Sequence, residues 1–315
     1  MQNKNNFRLL LILIFTFFSG LIQAIEFPNP HKIYQNSLEL KPESYPDADH
    51  ILLADIQNIK YLPDGTAENV DDVYVKILSE KGRADNRTLE LHFSSHYQIV
   101  EINLAELIKT DGRIVGIDIP SNSRTSVSHH QMGSNIYDPS QKVKSLNIPG
   151  LELGDIIHYR FTEKTIKARM PNNWADITPL QSDQPVLDYQ VEIIAPEKLP
   201  LANLAVKDEV KGTFEYNSKK IDGGTVHNWH VKKVPQVFPE PDMPPLYTVV
   251  QRLIVGTVPR WEDISKWYWN LSLPRLEKTT PAMEEEVKKL CEDKGYDEEK
   301  IRAIFDFVSQ KVRYM

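Results

Sequence analysis

One cysteine, Cys291, occurs in 315 residues, so no disulfide can form within the chain and thiol chemistry has a single candidate. Positive charge is in deficit as well: 37 Lys plus Arg stand against 44 Asp plus Glu, a net charge of −7. Nucleic-acid binding asks for a basic stripe, and none runs along this chain, which argues against such a partner. There is no glycine-rich phosphate loop, no pair of carboxylates that marks an acid/base couple, and no repeat of fixed period. The histidines lack the company a metal needs. His92 and His96 share one face of a strand or helix, His129 and His130 adjoin in a polar stretch, and His227 and His230 fall on opposite faces of one strand. No Cys or carboxylate spacing completes a set of three or four ligands, so all six read as solvated or half-buried side chains. The sequence thus offers no catalytic, cofactor-binding or metal-binding set.

What is present is globular: 41% of the residues are hydrophobic and 26% charged, in a chain long enough for two ordinary domains. Lys4 and Arg8 precede an apolar run from Leu9 to Phe18, then Ser19-Gly20 and a small residue at Ala24. That run is short for a membrane span, and the pattern predicts a cleaved secretory signal over residues 1–24. No Cys follows it to take a lipid. The expected location is periplasmic or secreted, with membrane contact only transiently through the signal. Residues 25–50, rich in Pro, Asn and Ser, read as a leader or linker.

From Ile51 the apolar period becomes two. Val73, Val75 and Ile77 alternate with Asp72, Tyr74 and Lys76, and Val100, Ile102 and Leu104 alternate again. Turn signals separate the strands: Leu62-Pro63-Asp64-Gly65, Asp111-Gly112 and Gly154-Asp155. Further strands are expected at Ile157 to Phe161, Val191 to Ile193, His227 to Val231 and Val249 to Ile254, while Pro120 to Ser145 reads as a long polar excursion. Many short strands between turns predict an antiparallel β-sandwich over residues 51–237. Phe238-Pro239-Glu240-Pro241-Asp242-Met243-Pro244-Pro245 follows as a stiff connector, residues 238–247.

The last stretch is helical. Pro259 starts a helix whose apolar face is Trp261, Ile264 and Tyr268, widened by Trp267 and Leu271. Thr280-Pro281 caps a second, with Met283, Val287, Leu290 and Cys291 on one face and Gly295 at its end. Asp297 is expected to cap a third, with Ile301, Ile304, Phe305, Val308 and Val312 on its face.

Val258-Pro259-Arg260-Trp261-Glu262-Asp263-Ile264, Glu299 to Val308 and Val312-Arg313-Tyr314 resemble the opening of a transglutaminase-like (papain-like) core. Asp111-Gly112-Arg113, Pro149 to Tyr159 and Glu240 to Pro244 are similar to the domain of unknown function (DUF3857-type) that precedes this core in exported bacterial proteins. The resemblance implies an incomplete α+β transglutaminase-like domain over residues 248–315, represented by its leading helices. Its catalytic Cys, His and Asp would lie beyond Met315. It implies action on peptide amide bonds, as a peptidase or acyltransferase, with the β domain positioning a protein or peptide substrate or partner. A second possibility is a non-catalytic extracytoplasmic binding module for peptide or glycan.

Cys291 sits near a helix C-terminus, where the dipole opposes a thiolate, so it reads as a packing residue and not a nucleophile. Trp261, Trp267, Tyr268 and Trp269 could stack a ligand, but aromatics at helical spacing usually pack in a core. Trp269 stands outside the stripe and is expected to be the exposed one. Asp71-Asp72 and Glu284-Glu285-Glu286 read as solvated charge or helix-start acids.

Overall fold

A computed structural model of the chain describes residues 26–129, 131 and 137–312. The expected signal at residues 1–24, His130, and Arg313-Tyr314 of the resemblance lie outside the described residues. The chain opens with helix α1 (Pro30–Ser37) and a 3-10 turn, then strands β1 (His50–Tyr61) and β2 (Ala67–Ile77). Next come helix α2 (Glu80–Asp85) and strands β3 (Thr88–Ser94), β4 (Gln98–Ile108) and β5 (Ile114–Gly116). A four-residue helix α3 (Ile119–Asn122) leads to β6 (Ser123–Val127), β7 (Gln141–Asn147), β8 (Ile156–Thr165) and β9 (Ala175–Pro179). Strands β10 (Val186–Pro196), β11 (Asn203–Lys207), β12 (Phe214–Ile221), β13 (Gly224–Val234) and β14 (Arg252–Gly256) complete the β part. Helices α4 (Trp261–Leu276), α5 (Pro281–Cys291) and α6 (Asp297–Lys311) follow.

The strands form one large sheet and two small ones. The eight-stranded sheet runs β12-β13-β10-β1-β2-β8-β4-β5, and its pairs are antiparallel apart from the parallel β1–β10 pair. Two three-stranded sheets, β11-β14-β9 and β3-β7-β6, make up the rest. Register shows where they sit. Asp55 lies opposite Tyr189 and Val73, and Val73 opposite Tyr159, so these side chains share one face of the large sheet. On that same face Ile59, Val191 and Ile193 pack with Leu253 and Val255 of β14. Val73, Ile102 and Ala105 pack with Leu146 of β7 and Leu89 and Leu91 of β3. Both small sheets therefore cover one face, side by side, and the architecture is a sandwich whose second layer is split.

The other face is covered by residues expected to be a linker. Ile33, Tyr34, Leu40 and Tyr45 pack against Ile51, Ala54, Tyr74 and Ile156. Tyr34 donates its hydroxyl to Thr110 O at 2.9 Å, Lys76 Nζ reaches Ser37 O at 2.5 Å, and Tyr74 donates to Pro28 O at 3.1 Å. Proline and polar residues hid a segment that Asn29 starts as a helix, its side chain accepting the His31 N–H at 2.9 Å.

The polar stretch from Pro120 to Ser145 also contains structure: α3, β6 and the start of β7. β7 is the middle strand of its small sheet, and only Val143, Ser145 and Leu146 of its seven residues are buried, a pattern weak in sequence. Strand β14, placed with the following core when the boundary is drawn at residue 248, is hydrogen-bonded between β11 and β9 of the β part. In the third helix Tyr296, not Asp297, occupies the cap position, and the Glu299 carboxylate accepts the Gly295 N–H at 3.1 Å.

Helices α4, α5 and α6 bury no residue completely. The expectation that their aromatics are core is not met. Trp261 is 82% exposed, Tyr268 65% and Trp269 55%, so Trp269 is the least open of these three. Met283, Ile301, Phe305 and Val308 are exposed too. Among the described residues, no helix is long and apolar enough to cross a membrane.

Candidate functional site

A polar seam runs between the two small sheets. Its floor is the middle of the large sheet, where β1, β2 and β8 carry Asp55, Gln57, Asn69, Asp71 and Glu163 on the shared face. Asp71 lies opposite Gln57 and Phe161, and Asn69 opposite Ile59 and Glu163. Asp176 reaches the same region from β9, an edge strand of its small sheet. The Asp71-Asp72 pair is thus not solvated: Asp71 is 3% exposed and Asp72 is 0%. Both faces of β2 are covered, so adjacent acids point into opposite layers and neither reaches bulk water.

Burial sets the protonation of the seam. It pushes Asp55 up to about 7, against a hydrogen bond with Tyr189 and assisted by the Asp72 charge. Asp71 is raised by burial and then by repulsion from Asp55 and Glu163. Glu163 is raised by burial although Gln98 Nε2 donates to its Oε1 at 2.7 Å. Asp176 is raised by burial although Thr178 Oγ1 donates to it at 2.6 Å. Several orphan acceptors remain: Asn69 Nδ2 donates to Asp71 Oδ2 at 3.1 Å, but Asn69 Oδ1 and Asp71 Oδ1, both out of contact with solvent, have no partner among the described residues.

At one end the seam opens into a cavity of about 290 Å³. Asn69, Gln98, Glu163 and Asp176 provide its polar wall, and Tyr97, Lys167 and Arg169 line it as well. Arg169 stacks over the Tyr97 ring, 4.4 Å from its centroid, and Lys167 Nζ lies 5.8 Å from the same ring. Trp174 forms a rigid side: it stacks on Tyr61 at 4.5 Å and exchanges bonds with Thr257, its N–H to Oγ1 at 2.9 Å. Val258, just before α4, also borders the cavity.

The opposite face carries a second buried network. His158 lies between Asp72, with Nε2 to Oδ1 at 3.0 Å, and Glu106, with Nδ1 to Oε1 at 2.8 Å. The Tyr74 ring stacks on it at 3.9 Å, and Arg160 Nε donates to Asp72 Oδ1 at 2.9 Å with Phe27 across the guanidinium. Each ring nitrogen thus faces a carboxylate oxygen. The arrangement is closed by the leader, and it reads as an internal charge lock.

The residues singled out in sequence stay apart. His92 is exposed near Glu90, His96 meets Lys167 at 3.2 Å, and His129 is exposed. His227 bonds Tyr216 at 2.8 Å, with burial holding its pKa down, and His230 bonds Asp188 at 2.8 Å. No group of His, Cys, Asp or Glu among the described residues could hold a metal ion. Cys291 ends α5, partly exposed, while Glu285 pairs with Lys289 at 2.9 Å as solvated charge should. Asp55, Asn69, Glu163, Asp176 and His158 were not singled out; the available signal was polar residues inside strands flanked by Val and Ile.

A split-layer β-sandwich with a polar cavity and trailing helices is the class that the geometry defines. The chain belongs to the DUF3857 family, a domain of unknown function with a solved structure, whose model matches residues 63–238. It is similar in fold to a Parabacteroides distasonis protein described as a "putative protease", with a TM-score of 0.67 at 19% identity, over 83% of this chain and 50% of that one. The chain therefore spans about half the length of that structure. A match to a CBM3a-L domain with flanking linkers from a Clostridium thermocellum cellulosome scaffoldin, at 14% identity, covers 38% of this chain and 69% of that one. Its TM-score of 0.23 carries no argument. A comparison with curated proteins found no match.

Proposed function

We propose that this chain is the positioning part of an exported protein, its β domain holding a polypeptide for a transglutaminase-like core that acts on peptide amide bonds. The observation that carries the reading is the trio of helices whose apolar faces are left open, Trp261, Tyr268, Ile301, Phe305 and Val308 among them. Amphipathic helices are held mainly by packing, so faces of this kind call for a covering layer. The transglutaminase-like resemblance of the same helices supplies one, and the similar structure of twice the length, described as a putative protease, fits it. The catalytic thiolate, imidazole and carboxylate would come from outside these 315 residues. Among the described residues no histidine is bonded to Cys291, which stands at a helix end that disfavours thiolate.

The test is peptide-amide turnover by the longer gene product and by this chain alone. Turnover is expected from the longer protein only, and Cys291→Ala should leave it unchanged while altering stability by less than about 0.5 kcal/mol. Turnover by the 315-residue chain, abolished in Cys291→Ala, would overturn the reading. A longer protein that binds peptide but never turns it over would favour the non-catalytic module instead.

A further inference from the structure

We infer that strand β9 is a flap over the seam, closed while the seam's acids are neutral and lifted when they ionise. This goes beyond the positioning reading and stands whether or not a catalytic core follows. Asp55 of β1, Asp71 of β2 and Glu163 of β8 lie on one face of the large sheet. Asp176 of β9 acts on Asp71, Glu163 and Tyr189 from the small sheet above them. Tyr159 and Tyr189 complete the group, and Asp72 acts on Asp55 from the far face, where His158 and Arg160 hold it. The charges on neighbouring elements are engaged elsewhere. Lys167 and Arg169 sit at the cavity end against Tyr97, Arg252 of β14 pairs with Asp208, and Glu90 and His92 of β3 are exposed. Asp55 Oδ1 and Asp71 Oδ1 are shut off from solvent and have no partner among the described residues. A carboxylate only accepts, whereas a neutral carboxyl brings an O–H of its own. Closure of the seam therefore goes with protons inside it, and burial raises all four acids.

β9 is the piece that can give way. It is an edge strand of five residues, hydrogen-bonded on one side to β14. None of Ala175 to Pro179 belongs to the apolar core: Thr178 is its one buried residue, and Ile177 is 56% exposed. The residues on either side are anchors. Trp174 and Leu180 both sit in the core, and Trp174 stacks on Tyr61. β14 keeps its place through Leu253 and Val255, whatever β9 does. A short strand between two fixed ends, with little apolar surface to lose, opens at lower cost than the sandwich around it. Ionised acids at close quarters repel, and water admitted by lifting β9 hydrates them. The sign follows from acids raised in the closed form: closure is favoured at low pH and weakens as pH climbs through about 7, where Asp55 titrates. Because Asp176 also lines the cavity, lifting β9 widens it.

The experiment is amide hydrogen exchange of the 315-residue chain from about pH 5 to about pH 9, read by mass spectrometry as protection relative to unstructured peptide. That ratio removes the pH dependence of exchange itself. Peptides covering residues 175–179 should lose about tenfold or more in protection across the range, while those of β10 and β13 change less than about threefold. Asp71→Asn keeps the size and removes the charge, and it should restore most of the β9 protection at the alkaline end. Asp176→Asn should do the same; it lies on the edge strand, outside the core, and carries the test where Asp71→Asn does not fold. Glu215→Gln, an exposed acid on β12, should leave the pH dependence as it is. Equal protection of β9 at both ends of the range overturns the inference. So does a loss shared equally by β10 and β13, which is a weakening of the whole fold, or a loss that persists in the folded Asn variants.

Discussion

Asp55 shows how far burial moves a single residue here. Its carboxyl is lifted from an ordinary 3.8 to about 7. For an acid raised in the folded state, folding takes up a proton between the two values. The contribution to stability is complete below about pH 4, is lost as pH climbs to about 7, and stays lost above. Asp55→Asn removes the charge and keeps an acceptor for Tyr189. It should stabilise the protein at pH 8 by about 1–3 kcal/mol and flatten the loss of stability between pH 4 and 7. Denaturant unfolding across that range checks it, and an unchanged slope would refute the assignment. His158 is the centre of the other network: its side chain is 1% exposed and that of Asp72 is 0%. His158→Ala would take its partner from Glu106 and leave Asp72 with Arg160 alone, and a loss of about 3–5 kcal/mol is expected in the same assay. The sequence hid these roles because Asp71 and Asp72 look like any surface pair. Only the covering of both faces of β2 separates them into two networks. Asn69 of β2 meets Glu163 and Asp176 of β8 and β9 from far away in the chain, which no local spacing records.

At the scale of elements, turn chemistry was the most legible part. Leu62-Pro63-Asp64-Gly65 and Asp111-Gly112 do close the β1–β2 and β4–β5 hairpins, with Gly65 at φ +85° and Gly112 at φ +84°. Gly65 has a second constraint: a Cβ there would lie 2.2 Å from the Asn173 carbonyl oxygen. Gly65→Ala should therefore destabilise by about 1–3 kcal/mol, through left-handed strain and a clash that pushes the Asn173 loop into the cavity. A lower melting temperature is the expected reading. A variant as stable as the parent would show that the turn is not held against that loop. The helices were legible too, since Thr280 caps α5 by accepting the Met283 N–H at 3.2 Å. What the pattern could not give was their covering. An apolar stripe says that a face is to be buried, not whether these 315 residues bury it. Nor could it show the leader as a docked segment, because its anchors are single residues, Tyr34 and Tyr45 among polar neighbours.

For the whole molecule, the alternation from Ile51 onward carried the correct class, a mostly β and largely antiparallel sandwich. It could not foresee one parallel pair at the centre or a second layer divided in two, which depend on pairing between β1 and β10, over a hundred residues apart. The division matters, since the seam and cavity exist only because the second layer has two parts. That sandwich is joined to three helices whose apolar side chains lie open. Amide hydrogen exchange of the 315-residue chain, alone and within the proposed longer protein that carries the core, tests the positioning reading most directly. The account predicts that residues 301–311 exchange far faster than β1 and β10 in the chain alone, and become protected in the longer protein while the strands do not change. Equal, slow exchange of α6 and the central strands in the chain alone would contradict it.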